Sequence, residues 1–245
     1  MTAPGHLRSG GLGTWTLGVA RAVGVAAFAW PFVVQPAATT LAHEGDSPWI
    51  FVAVMPLLIV VVLGEMTAGR VDARAIAVLG VLAAAGTAMR IPTGGIAGLE
   101  MVFFLLIPAG RVFGRGFGFV LGALTLLASA VLTAGVGPWL PFQMLAAGWI
   151  GVGAACLPPA RGRREIALLS VYGIFASYAY GLVMDAWFWP FGTAVDTELG
   201  PIAGGGVLQN VRRFLTFHFL TSMGWDTMRA VTTTLLMVGL GSAVL

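Results

Sequence analysis

Lysine is absent from this chain, and charged side chains of any kind are scarce. Asp, Glu, Lys and Arg make up 9% of the 245 residues, and all thirteen cationic side chains are arginine. Soluble domains carry about 25% charged residues. Hydrophobic residues make up 58% of the chain, and its mean hydropathy is +0.92. This composition excludes an ordinary soluble domain and predicts an all-α polytopic membrane protein in the cell membrane.

Cysteine and histidine are also rare, and this limits the chemistry of the chain. Cys156 is the only cysteine, and there are three histidines. Neither a disulfide framework nor a thiolate metal site can therefore form within the chain, and we expect Cys156 to be a small core residue. We expect His218, which lies among aromatic residues, to be interfacial or packed.

Several patterns that would indicate catalysis or cofactor binding are missing from the sequence. It contains neither HExxH nor GxxxxGK[ST], which excludes two common metal and nucleotide motifs. Its arginines are not clustered with aromatic residues on a polar segment, so nucleic-acid binding is not indicated. We therefore expect no catalytic residue, no metal and no cofactor, and an intramembrane enzyme is the least favoured class.

Apolar runs of membrane-spanning length, about 20 residues, alternate with short charged turns and predict eight transmembrane helices. The predicted spans are 15–34, 49–64, 75–89, 99–113, 117–134, 140–157, 166–187 and 225–245. A cleaved signal peptide is the alternative interpretation of the first span. With both termini cytoplasmic, nine of the thirteen arginines lie in cytoplasmic positions, as the positive-inside rule requires: Arg8, Arg21, Arg70, Arg74, Arg111, Arg115, Arg161, Arg163 and Arg164.

The remaining arginines fall on or near the predicted outer side, together with several carboxylates. Ionisable groups at the ends of spans usually face a cavity or one another. Asp226 and Arg229 are three residues apart, so they either pair on one helical face or serve a ligand. The side chains in this group are Arg90, Arg212, Arg213, Arg229, Glu100, Asp185, Asp196, Glu198 and Asp226.

The charge-free segment 135–145, GVGPWLPFQML, is the most distinctive turn of the sequence. Pro138 and Pro141 remove two backbone donors and disfavour helix in the residues before them. The segment therefore predicts a rigid turn at membrane depth that ends in Trp139 and Gln143. Two interpretations remain open: a closure over a solute, or an interfacial turn in which Trp139 is an aromatic-belt residue.

From Ala73 onward the order of features resembles the substrate-binding (S) component of energy-coupling factor (ECF) vitamin transporters. The matching segments are RIPTGG, GLEMVFFLLIPAGRVFGRGFGFVLGAL, GVGPWLPFQMLAAGWIGVGAACLP and GWDTMRAV, and PWLPFQM is the most specific of them. The resemblance implies a six-helix substrate-binding domain over residues 71–245. It leaves residues 1–70 as an N-terminal extension with two transmembrane helices.

The resemblance also implies the function, the site and the partners. The substrate would be a vitamin-like molecule captured at the outer face, with a corrinoid as one candidate. It would be taken up with a membrane scaffold (T) subunit and two cytosolic ATPase subunits. The expected substrate-binding residues are Arg90, Glu100, Trp139, Gln143, Asp185, Trp187, Trp189, Asp226 and Arg229.

Two features keep alternatives open. Trp187 and Trp189 fit an aromatic belt as well as ligand stacking. Small residues at helical spacing allow close helix approach in lipid, either against the scaffold subunit or within the bundle. That stripe consists of Ala73, Ala77, Gly80, Ala84 and Ala88. The alternative function is a membrane structural or interaction protein that takes no part in transport.

Overall fold

The computed structural model describes residues 73–93, 98–189, 197–202 and 205–245, and isolated positions between 18 and 64. In these residues the only regular secondary structure is helix. From residue 73 onward the described helices are α1 (Ala73–Arg90), α2 (Val102–Phe113), α3 (Arg115–Leu132), α4 (Leu140–Ala155), α5 (Arg163–Phe188), α6 (Val207–Thr221) and α7 (Met223–Val244). The prediction of an all-α fold is confirmed for this part of the chain.

Four of the described helices, α1, α3, α5 and α7, are long and apolar enough to cross a membrane, and α2 and α4 are shorter apolar helices. This agrees with a membrane-embedded protein, but it does not confirm a count of eight spans. The first two predicted spans fall in the region of which only isolated positions are described. The five later spans that correspond to α1–α5 begin and end within about three residues of the predicted bounds.

Helix α2 lies at the centre of the bundle. Seven of its twelve residues are buried, and it contacts α1, α3, α4, α5 and α7. Twelve residues rise only about 18 Å, which is less than the roughly 30 Å hydrocarbon core of a bilayer. Its neighbours rather than lipid therefore cover most of α2, and its buried side chains, Phe103, Leu106 and Ile107 among them, form the core.

Helices α3 and α4 form the most extensive helix pair, and glycine makes their close approach possible. A Cβ atom added at Gly151 would overlap the backbone of Gly118, and one added at Gly122 would lie 2.5 Å from the Ala147 backbone. Small residues at a helix interface let backbones meet in lipid, where packing replaces the hydrophobic effect as the driving force. The Gly/Ala-rich character of α4 thus serves packing inside the bundle.

One end of the bundle carries most of the exposed arginines. Arg111 makes four hydrogen bonds at this end. Its Nε and Nη2 atoms donate to the Glu165 carboxylate at 2.6 and 3.2 Å. Its Nη1 atom donates to the Leu157 carbonyl and its Nη2 atom to the Pro158 carbonyl. The α2–α3 turn is thereby joined to the α4–α5 loop. The exposed arginines that define this arginine-rich end are Arg74, Arg115, Arg161, Arg163 and Arg164.

Cys156 also lies at the arginine-rich end, directly after α4. It is exposed, so the expectation of a core position is wrong. The apolar run that suggested burial ends at Ala155, and the chain turns there toward the α4–α5 loop. Arg8, Arg21 and Arg70 of the positive-inside count lie outside the described residues.

The isolated described positions before residue 73 show where part of the N-terminal region packs. Phe28 is buried and contacts Phe142 and Trp149 of α4, with ring centroids 5.2 and 5.6 Å apart. Leu58 and Val62 belong to the same buried cluster. These N-terminal side chains therefore add to the core of the bundle, and most of the predicted N-terminal extension lies outside the described residues.

Candidate functional site

A cavity of about 200 Å³ lies at the end of the bundle opposite the arginine-rich end. Five elements meet there: the end of α1, the segment before α2, the start of α4, the second half of α5 and the start of α7. The lining residues are Arg90, Thr93, Gly98, Leu99, Glu100, Gln143, Tyr180, Trp225 and Arg229. Four of the predicted site residues, Arg90, Glu100, Gln143 and Arg229, are thus brought together at this cavity.

Glu100 is the carboxylate that joins the two arginines of the cavity. Its Oε1 accepts from Nη1 of Arg90, and its Oε2 accepts from Nε of Arg229 at 2.9 Å. Arg90 also donates from Nε to Ser129 Oγ at 3.2 Å. The bridge connects α1 to α7 across the segment that precedes α2.

The position of Glu100 depends on Gly98, two residues earlier. Gly98 has φ +80, a conformation that side chains disfavour, and a Cβ atom there would overlap the Trp225 backbone. The segment before α2 therefore lies directly against the start of α7. This close approach places Glu100 within reach of Arg229.

Arg229 is the most connected charged residue of the site. Besides Glu100, its Nη1 donates to Asp226 Oδ1 at 2.6 Å and to the Ser177 carbonyl at 3.1 Å. Its guanidinium lies 4.9 Å from the ring centroid of Tyr180 and 5.7 Å from that of Phe103, a cation–π arrangement. Of the two interpretations of Asp226 and Arg229, the structure shows the pair on one helix face, and Arg229 also lines the cavity.

The charged groups continue behind the cavity as a chain that reaches α6. Asp226 is 1% exposed, and its Oδ2 lies 3.8 Å from Nε2 of His218. The other ring nitrogen of His218, Nδ1, lies 2.7 Å from Asp185 Oδ2. Neither Asp185 nor Asp226 is among the residues that line the cavity. Through His218 they connect the end of α5, the end of α6 and the start of α7.

Sequence reasoning missed several residues of the site. Tyr180 and Trp225 line the cavity, and His218 joins the two carboxylates behind it. Trp225 directly precedes Asp226 in the segment GWDTMRAV, which supplied a signal, and Tyr180 lies five residues before Asp185. For His218 the packed interpretation holds, with the addition of its ionic partners.

The three predicted tryptophans lie outside the cavity. Trp139 is 40% exposed, and its Nε1 donates to the Gly135 carbonyl at 3.2 Å, so the turn 135–139 folds back on itself. Trp187 is buried with its ring centroid 5.1 Å from that of Phe142, and Trp189 donates from Nε1 to the Leu199 carbonyl at 2.7 Å. The structure gives these side chains no contact with the cavity.

The prolines of segment 135–145 act differently from each other. Pro138 lies in the turn, while Pro141 lies within the first two residues of α4, which begins at Leu140. Proline is tolerated there because the first backbone N–H groups of a helix have no partner within the helix. Of this segment, Gln143 reaches the cavity.

The five small residues of the α1 stripe all have exposed positions in the structure. At their centre is Gly80, and among the described residues no atom outside its own stretch of helix lies within 4 Å of the position where a Cβ would lie. The residues of α1 that face the bundle are different ones, Leu79, Ala83, Gly86 and Thr87. The stripe therefore forms an open face of α1.

The site offers binding groups and no metal-ligand set. In the ranges that the structure describes, no three His, Cys, Asp or Glu side chains are grouped in a way that could hold a metal ion. What the cavity offers is two guanidinium groups, a carboxylate, an amide and two aromatic rings. Comparison of the chain with protein-family models, curated proteins and solved structures gave no match.

Proposed function

We propose that this chain is the substrate-capturing subunit of an ECF-type importer, which takes a small molecule from the outer side for ATP-driven uptake by partner subunits. The observation that carries the proposal is the polar cavity at one end of an apolar bundle whose other end is rich in arginine. Precisely placed polar groups in a concave pocket fix the orientation of a small ligand and give specificity, and most residues that line this cavity have polar side chains. The resemblance of residues 73–245 to S components supplies the reaction class.

The distribution of charge supports an outward orientation of the cavity. Cytoplasmic loops carry an excess of arginine and lysine, and the arginine-rich end includes Arg74, Arg115, Arg161, Arg163 and Arg164. If that end is cytoplasmic, the cavity opens on the outer side. Capture before uptake requires this arrangement.

The volume of the cavity limits the size of the ligand. Pockets for drug-sized molecules measure roughly 300–1,000 Å³, whereas this one measures about 200 Å³. A corrinoid exceeds even drug-sized ligands, so it is left out of the proposal. A single-ring vitamin-like molecule matches the volume better.

The open face of α1 is the proposed contact with the scaffold subunit. Its small residues would let a partner helix approach the α1 backbone closely. No described helix of this chain occupies the face, and Ala77 lies near its middle. The alternative function, an interaction protein outside transport, assigns the face no ATPase-linked partner.

Purification of the tagged protein from cells that express it naturally tests the proposal. The parent and Val238→Trp, a change at an exposed apolar position on α7, should each co-purify with two ATPase subunits and a membrane scaffold subunit. Ala77→Trp should lose these partners but elute as a folded, monodisperse protein. Absence of ATPases from the parent preparation, or equal recovery with all three proteins, would contradict the proposal.

A further inference from the structure

The cavity presents hydrogen-bond donors for which the described protein supplies no acceptor. Arg90 uses Nε and Nη1, and Arg229 uses Nε and Nη1. Within the described ranges, the Nη2 groups of both arginines have no hydrogen-bond partner. Because guanidinium groups only donate, a molecule in the cavity must bring the acceptors.

The charge of Arg90 also favours a ligand that carries hydrogen-bond acceptors. Three charged residues line the cavity: Arg90, Arg229 and Glu100. Glu100 is shared between both arginines, and Arg229 has Asp226 as a second carboxylate. The other described partner of Arg90 is the neutral hydroxyl of Ser129, so its positive charge is the less compensated of the two.

The remaining lining groups would suit the rest of such a ligand. Tyr180 and Trp225 contribute aromatic side chains to the lining, and Gln143 contributes an amide that both donates and accepts. Side-chain amide and hydroxyl groups fix orientation without adding charge. The anionic group would therefore lie at the arginines and the apolar part against the rings.

We propose that the ligand is a small carboxylate, bound through its oxygens by the free Nη2 groups of Arg90 and Arg229. This inference rests on the proposed function and names the substrate class. Charge-assisted hydrogen bonds from arginine to carboxylate are among the strongest in proteins. Glu100 holds both arginines in place and, as a fixed anion beside the site, also opposes the ligand's charge.

Matched acids and amides test the charge requirement on the purified protein. Benzoate and phenylacetate, at millimolar concentration, should raise the melting temperature and change the fluorescence of the tryptophans, Trp225 among them. Benzamide and phenylacetamide, which have nearly the same shape without the charge, should do neither. Binding of the amides as tight as that of the acids, or no binding of either acid, would overturn the proposal.

Substitutions separate the roles of the charged groups. Arg90→Gln should weaken benzoate binding at least about tenfold, because opposite charges within a few ångströms interact by more than 1.4 kcal/mol at low dielectric. Arg212→Gln, an equal loss of charge at an exposed residue of α6, should leave binding unchanged. Unchanged benzoate binding in Arg90→Gln, or equal weakening in Arg212→Gln, would contradict the proposal.

The test also distinguishes this inference from the function on which it rests. If neither acid binds but the parent co-purifies with ATPases and a neutral small molecule, the carboxylate assignment is wrong and the importer proposal stands. If the acids fail and no ATPase co-purifies, both are wrong.

Discussion

Arg229 shows how one residue can hold the whole site together. It contacts Glu100 before α2, Asp226 on its own helix and the Ser177 carbonyl on α5. Removing one partner of a buried ionic pair typically costs about 3–5 kcal/mol, because the other charge is left uncompensated. A substitution of Arg229 itself would therefore report on folding as much as on binding, and more local changes are better probes.

Gly181 is such a probe, because it makes room for the Asp226 carboxylate. A Cβ atom at this position of α5 would overlap both carboxylate oxygens and the Cγ atom of Asp226. Since Asp226 is held by Arg229, it cannot move aside freely, and overpacking of this kind costs about 1–3 kcal/mol. Gly181→Ala should therefore lower the melting temperature of the purified protein.

Gly239→Ala is the matched control for that prediction. In the part of the chain that the structure describes, no atom outside the neighbouring turns of α7 lies within 4 Å of an added Cβ at Gly239. The change should therefore leave the melting temperature unchanged or raise it slightly, as alanine favours helix. Equal melting temperatures for Gly181→Ala and Gly239→Ala would show that the contact between α5 and the Asp226 carboxylate is not tight.

At the scale of helices, the sequence predicted the bounds of α1–α5 and the start of α7 closely, did not predict α6 (Val207–Thr221), and predicted helix faces poorly. Helix α7 was expected from near Trp225 and begins at Met223, because apolar length and proline or glycine punctuation are local signals. The sequence alone did not show which small residues lie on an open helix face and which lie in a contact between helices. The same spacing gives an open face in α1 and a buried backbone contact between α3 and α4, and only packing decides which.

The site shows the same limit. The pairing of Asp226 with Arg229 followed from a spacing of three residues on one helix. The meeting of Arg90 and Arg229 on Glu100 joins residues far apart in the chain, and it depends on how α1, α2 and α7 pack. Trp139 appeared to be a site residue because prolines flank it, yet the turn closes on itself and keeps the indole away from the cavity.

The close contact between α3 and α4 can be tested at Gly151. An added Cβ would meet the Gly118 backbone, which cannot turn away as a side chain can. Gly151→Ala should therefore reduce the free energy of unfolding by about 1–3 kcal/mol, measured by denaturant titration in detergent micelles. Gly80→Ala, on the open face of α1, should cause no loss, and a stable Gly151→Ala protein would contradict the described packing.

At the scale of the whole molecule, the described bundle has two chemically different ends. The ion pair of Arg111 and Glu165 lies at the arginine-rich end, where the remaining arginines of that end are exposed. At the other end, buried ion pairs surround a cavity. The proposed function requires the cavity end to face outward, and this is the claim on which capture of an external solute depends.

Labelling of intact cells with a membrane-impermeant maleimide tests that claim most directly. Cys156 is the only cysteine, so Cys156→Ser provides a background to which Leu99→Cys, in the cavity lining, or Arg161→Cys, at the arginine-rich end, is added. The account predicts that the protein with Leu99→Cys is labelled on intact cells and that the protein with Arg161→Cys is labelled only after permeabilisation. Labelling of Arg161→Cys from outside, with Leu99→Cys reacting only in permeabilised cells, would contradict it.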